Sequence, residues 1–142
     1  EKGFWDLARI TDRPIVASHS NAHSICANSR NLTDKQLDAI KESGGLVGIN
    51  FHVAFLRPDG GHSRDTALDV IADHAAYLVD RLGEDCVAFG SDFDGCIIPK
   101  DMTDVSGLGR LMETLDARGF SAQVMEKIAF RNWIAALEKS TA

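Results

Sequence analysis

Apolar and polar positions along this chain fall into blocks whose period changes from one block to the next. Phe4, Leu7 and Ala8 recur at helical spacing within a charged segment, which predicts a helix over residues 1–10. Pro14 introduces the apolar run Ile15, Val16 and Ala17, whose β-branched residues suit a buried strand ending at Ser18 and His19. Beyond a stretch rich in Ser and Asn, Thr33 or Asp34 can cap a helix running to about Ser43, with Leu37, Ala39 and Ile40 on its apolar side and Gly44 closing it. Residues 46–51 predict a second buried strand. The segment 52–64 holds Pro58, Gly60 and Gly61 without periodicity, so an exposed loop is expected there. Leu68, Ile71, Ala75 and Leu78 define a long amphipathic helix over residues 65–82, ended by Gly83. Residues 86–90 read as a third strand that leads into Asp92, Phe93, Asp94 and Gly95, and helices at about 105–117 and 121–138 follow.

Apolar strands separated by helices are the signature of right-handed βαβ units in a parallel sheet covered on both faces. Ligands of such sheets bind beyond the carboxyl ends of the strands, so residues 18–21, 50–52 and 91–94 are expected to share one face. Three strands cannot close a barrel, since a (β/α)8 fold needs roughly 250 residues. The expected class is therefore α/β, the C-terminal half of a (β/α)8 barrel over residues 1–142, whose remaining strands come from an absent N-terminal half or from another chain. The opening of the chain inside a helical pattern, with no capping residue before it, carries the same expectation.

Composition narrows the function. Of the 142 residues 44% are hydrophobic, enough for a core, and the net charge of −6 with scattered Lys and Arg argues against a nucleic-acid partner. No apolar run approaches the roughly 20 residues of a membrane-spanning helix. Cys26, Cys86 and Cys96 are odd in number and lack CxxC spacing, which points away from a disulfide framework and towards a reducing, cytoplasmic compartment.

The candidate chemistry lies at the strand ends. His19 follows the first strand and could bind zinc through one ring nitrogen or sit as a hydrogen-bonded structural histidine. Asp92 can serve as general base and then general acid, or merely cap the following loop; in an extended chain Asp94 would point to the opposite side. Arg30 could grip a substrate carboxylate through two parallel hydrogen bonds, or be a surface arginine near a helix start. His52 is a candidate pocket-lining residue, whereas His23, His62 and His74 read as structural or solvated.

Taken together, the stretch Ser18, His19, Ser20, Asn21, Ala22, the pair Arg30 and Asn31, and the run Phe89 to Gly95 resemble the renal, or membrane, dipeptidase family of amidohydrolase-like barrel enzymes. The likeness runs over nearly the whole chain. It implies a zinc-dependent dipeptidase, including action on dipeptides with a C-terminal D residue, that uses a hydroxide bridging two zinc ions. By the same resemblance His19 is a zinc ligand, Arg30 anchors the substrate carboxylate, Asp92 is the acid/base, and Asn50 and His52 line the substrate site. His52 and Phe55 occupy a region that carries tyrosines in the animal enzymes, which leaves substrate preference open. The other family ligands lie upstream, so this half alone is expected to be inactive. Expected partners are a dipeptide, the N-terminal half, and a second copy in a homodimer. The alternatives are another amidohydrolase-type enzyme acting on a carboxylate-bearing amide or lactone, and a non-catalytic barrel relative.

Overall fold

The computed structural model describes residues 1–141. Its centre is a parallel sheet of β1 (Val16–Ala17), β2 (Leu46–Asn50) and β3 (Val87–Ser91), in that spatial order. All five residues of β2 are buried, because it has a strand on each side and helices over its face. β1 is an edge strand, so Val16 stays 41% exposed where the apolar run suggested burial, and only Ile15 beside it enters the core.

Helices α1 (Lys2–Ile10), α2 (Asp34–Glu42), α3 (Val53–Leu56), α4 (Asp69–Leu82), α5 (Leu108–Ala117), α6 (Ala122–Glu126) and α7 (Asn132–Thr141) complete the chain. The βαβ reading therefore holds in order and type. Leu37 and Ile40 of α2 join Ile71, Ala75 and Leu78 of α4 in one apolar core with Val47, Ile49 and Val87 of the sheet. Burying each of the Leu, Ile and Val side chains contributes roughly 1.5 to 3 kcal/mol. α2 starts where its capping residues predict, with the Thr33 amide donating to Gln36 Oε1 at 2.9 Å. Its outer side is tied to α4 by Arg81, which is bonded to Asp38 at 2.7 Å and paired with Asp34 at 3.3 Å.

Three stretches differ from the sequence expectation. Residues 52–64 are not one exposed loop: α3 is a single helical turn with Val53, Ala54 and Leu56 buried, held by the Val53 amide donating to the Ile97 carbonyl at 2.9 Å. One turn is too short to show a period, so only this tertiary contact reveals it. α4 begins at Asp69 rather than near Asp65, since Thr66 turns back to donate its hydroxyl to the Ser63 carbonyl. The last helical stretch widens into a π turn over Lys127–Arg131, after which the Asn132 amide donates to the carbonyls of Glu84 and Val87 and anchors the helix under β3.

Two glycines decide how the sheet meets its mouth. A Cβ placed on Gly48 of β2 would lie 2.1 Å from the Ser18 carbonyl oxygen, and one placed on Gly90 of β3 would lie 2.2 Å from the same atom. The chain leaving β1 thus runs across a side-chain-free patch of its neighbours, where the Ser20 amide donates to the Gly48 carbonyl at 2.8 Å. No other residue type leaves that space. Gly48→Ala should lower stability by roughly 1 to 3 kcal/mol through forced backbone displacement. Gly109→Ala, in α5 with open space around it, should cost nothing. Chemical denaturation of both variants checks the contrast, and equal stability of the two would contradict it.

Candidate active site

The passage of residues 18–20 over Gly48 and Gly90 carries His19 across the sheet towards β3. Ser18 Oγ and His19 Nδ1 lie 2.7 Å apart, and Arg30 Nη2 is 3.5 Å from His19 Nε2. A guanidinium only donates, so the Nε2 it faces carries a lone pair, and the ring proton belongs on Nδ1, donated to Ser18. An imidazole in that tautomer presents Nε2 as a metal ligand oriented by its hydrogen-bonded partner. His19 could therefore offer Nε2 to a metal in place of its contact with Arg30. Among the described residues no cluster of three or more His, Cys, Asp or Glu side chains is arranged to hold a metal by itself.

Asp92 reaches the same place by a strained route. The β2–β3 register shifts so that Asn50 pairs with Ser91, and Ser91, Asp92 and Asp94 have φ values of 48°, 72° and 64°. The extended backbone from which opposite orientations of Asp92 and Asp94 were expected is absent: this is a tight left-handed turn, closed by the Asp92 amide donating to the Gly90 carbonyl at 2.8 Å. Left-handed backbone at non-glycine residues costs roughly 1 to 3 kcal/mol each and persists where surrounding contacts impose it. Here the turn leaves Asp94 exposed and holds half-buried Asp92 against Asn50, whose Nδ2 donates to Asp92 Oδ2 at 3.0 Å and to the His19 carbonyl at 3.4 Å.

Asn50 is fully buried, and its Oδ1 accepts from the His52 amide at 2.7 Å. Its amide is spent bridging His19 and Asp92, so it sits under the mouth rather than on its wall. The Asn21 side chain in turn behaves as a piece of strand: Oδ1 accepts from the Asn50 amide at 3.0 Å and Nδ2 donates to the Asn50 carbonyl at 3.0 Å. Asn31 Oδ1 accepts from the Asn21 amide, while Asn31 Nδ2 donates to the carbonyls of Cys26 and Phe55. Asn21 and Asn31 stood in the sequence only as parts of the family motif, with no role assigned, whereas Phe55 was expected with His52 in the region lining the substrate site. Asn31 was visible beside Arg30, but the partners of these amides lie in other segments.

Arg30 is exposed, stands 5.9 Å over the Phe55 ring and has no carboxylate partner among the described residues. His52 packs edge-on against the same ring with centroids 4.6 Å apart, and its Nδ1 is 3.2 Å from the Ile97 amide. His19, Arg30, Phe55 and His52 thus form a row along the mouth. A neighbouring cavity of about 400 Å³ is lined by Phe93, Asp94, Cys96 and Ile97 but by none of His19, Arg30 and Asp92, so the candidate site is an open mouth rather than an enclosed pocket. Burial, with the Asp92 charge adding to it, pushes the Cys96 thiol up to about 11, which keeps it protonated near neutral pH.

Known proteins share both the sequence and the fold. The family model described as "Membrane dipeptidase (Peptidase family M19)" matches residues 1–142. An uncharacterized protein from the pqqA 5′ region of Klebsiella pneumoniae is 52% identical over 97% of this chain, which spans 51% of that relative. The solved structure of dipeptidase AC, a metallo peptidase of family M19, superposes with a TM-score of 0.97 at 48% identity, over 99% of this chain and 41% of that one. A metallo peptidase from Rhodobacter sphaeroides, liganded with a phosphinate mimic of the dipeptide L-Ala-D-Ala, gives 0.96 at 48% identity over 98% and 40%. The chain spans about half the length of the curated relative. With its three parallel strands and covering helices, it is an α/β segment of a TIM-type barrel, and it belongs to the membrane dipeptidase family, peptidase family M19.

Proposed function

We propose that residues 1–142 are the C-terminal half of a single barrel domain in a zinc-dependent dipeptidase that accepts dipeptides ending in either an L or a D residue. The observation that supports this reading is the convergence of three chemistries at the strand ends: a histidine whose Nε2 is engaged only by the exposed Arg30 guanidinium at 3.5 Å, a carboxylate braced by Asn50, and that arginine itself. The phosphinate dipeptide mimic bound by the Rhodobacter sphaeroides relative supports the substrate class.

His19 Nε2 would supply one ligand to a two-zinc centre whose other ligands come from the N-terminal half. Zinc, when bound, lowers the pKa of water and polarises a carbonyl. Arg30, exposed and without a carboxylate partner, offers paired donors to the substrate's terminal carboxylate, and Phe55 beneath the guanidinium restrains it. Asp92 binds Asn50 through Oδ2, so its other oxygen is the one available to take a proton from the attacking water and return it to the leaving amine. His52 bounds the mouth on the side of Ile97. Because this chain brings one histidine ligand and not a complete centre, it should not turn over substrate alone. A cytoplasmic setting is proposed on Cys26, Cys86 and Cys96, which are all free thiols.

Hydrolysis of L,L and L,D dipeptides by the complete protein should be lost on chelation and restored by zinc; cleavage indifferent to chelator would reject the zinc assignment. His19→Ala should retain the fold but lose one zinc per site by elemental analysis, and full occupancy would remove His19 from the ligand set. Asp92→Asn should retain both metals and lose roughly 10²- to 10⁴-fold in kcat, the span expected of a proton-transfer group; an active Asn variant would remove that role. Arg30→Ala should raise KM for dipeptides while sparing their C-terminal amides, and an equal loss on both would show that Arg30 does not read the carboxylate.

A further inference from the structure

His74 lies in the middle of α4, is fully buried, and bonds through both ring nitrogens. Nδ1 accepts from the Ala22 amide at 3.2 Å, which fixes the ring proton on Nε2, 3.0 Å from the Leu56 carbonyl that receives it. Only the neutral Nε2–H form satisfies both contacts. Burial lowers the pKa of the imidazole below its ordinary value of 6.5, against the opposing effects of the Leu56 carbonyl and the Asp73 charge, and so favours that form.

The two groups that His74 holds are the two halves of Arg30's seat. Ala22 bridges to Leu32, with the His23 amide donating to the Leu32 carbonyl and the Leu32 amide to the Asn21 carbonyl, so Ala22 is the base of the loop that displays Arg30. Leu56 ends α3, and its neighbour Phe55 provides the ring under the guanidinium and the carbonyl that receives Asn21 Nδ2 and Asn31 Nδ2. A single imidazole thereby joins the loop to its floor from behind.

We propose that His74 is a positioning residue for substrate recognition: by clamping Ala22 and Leu56 together it holds Arg30 where it reads the terminal carboxylate of the dipeptide. This rests on the role proposed for Arg30. The test is the preference of the complete protein for a dipeptide over the same dipeptide carrying a C-terminal amide, expressed as the ratio of kcat/KM values. Loss of one buried hydrogen bond is worth about a tenfold change, and His74→Leu removes both that the imidazole makes, so tenfold is the least expected. His74→Leu should therefore cut that preference by about tenfold or more, mainly through KM for the free dipeptide. His74→Asn, which keeps an acceptor near the Nδ1 position for the Ala22 amide but loses the donor to the Leu56 carbonyl, should recover only part of it. Nitrogen-15 NMR of the wild-type imidazole should show the Nε2–H tautomer persisting below pH 6.5.

A structural role alone would lower activity on both substrates in parallel and leave their ratio intact in both variants, which would overturn the proposal. An Nδ1–H tautomer would overturn it as well, even if His74→Leu failed to fold. A wild-type protein indifferent to the carboxylate would sink the dipeptidase reading and this proposal with it, whereas a preference that survives in His74→Leu would sink the proposal alone.

Discussion

The site depends on one steric fact, the passage of the Ser18 carbonyl across the bare backbone of Gly48 and Gly90. Parallel strands in a sheet normally keep their ends about 4.8 Å apart, side by side. Here the absence of two side chains lets the end of the first strand fold over the second and approach the third. A methyl group at either glycine would occupy the Ser18 oxygen's position, since the would-be Cβ atoms lie 2.1 and 2.2 Å from it. His19 and Asp92, which belong to strands that do not pair with each other, become joint partners of the single Asn50 amide only because of that crossing.

Amides rather than charges hold the arrangement in place. Asn21, Asn31 and Asn50 are all buried, and among the described residues no buried side-chain nitrogen or oxygen lacks a partner. Buried amides whose donors and acceptors are all satisfied define one geometry, because any rearrangement leaves a polar group without a bond in a low-dielectric setting. The charged groups, Arg30 and Asp92, are left at the surface of this scaffold with most of their bonding capacity unused. Neutral groups set positions while charged groups remain available, as the proposed binding of a carboxylate and movement of a proton would require.

The order of strands and helices, the cap at Thr33 and the strand ends at His19 and Asp92 were legible in the sequence, because each rests on period or local chemistry within a few residues. So was the family likeness, carried by short runs around His19, Arg30 and Asp92. α3 escaped notice because its four residues are too few to show a helical repeat and the Ile97 carbonyl that holds it lies over forty positions away. The left-handed turn at Asp92 escaped for a related reason: Ser and Asp do not announce positive φ, and the register shift against β2 imposes it. His74 read as merely structural on a helix face. Its two partners, Ala22 and Leu56, lie in segments whose meeting no local pattern foretells.

The central claim is that His19, Asp92 and Arg30 form this chain's share of a two-zinc dipeptidase site. Anomalous diffraction at the zinc edge from crystals of the complete protein tests it most directly. The account predicts a zinc ion about 2.0 to 2.1 Å from His19 Nε2, with Asp92 and Arg30 facing the same mouth. Zinc bound elsewhere, with His19 Nε2 still turned to Arg30 and no metal beside it, would contradict the account.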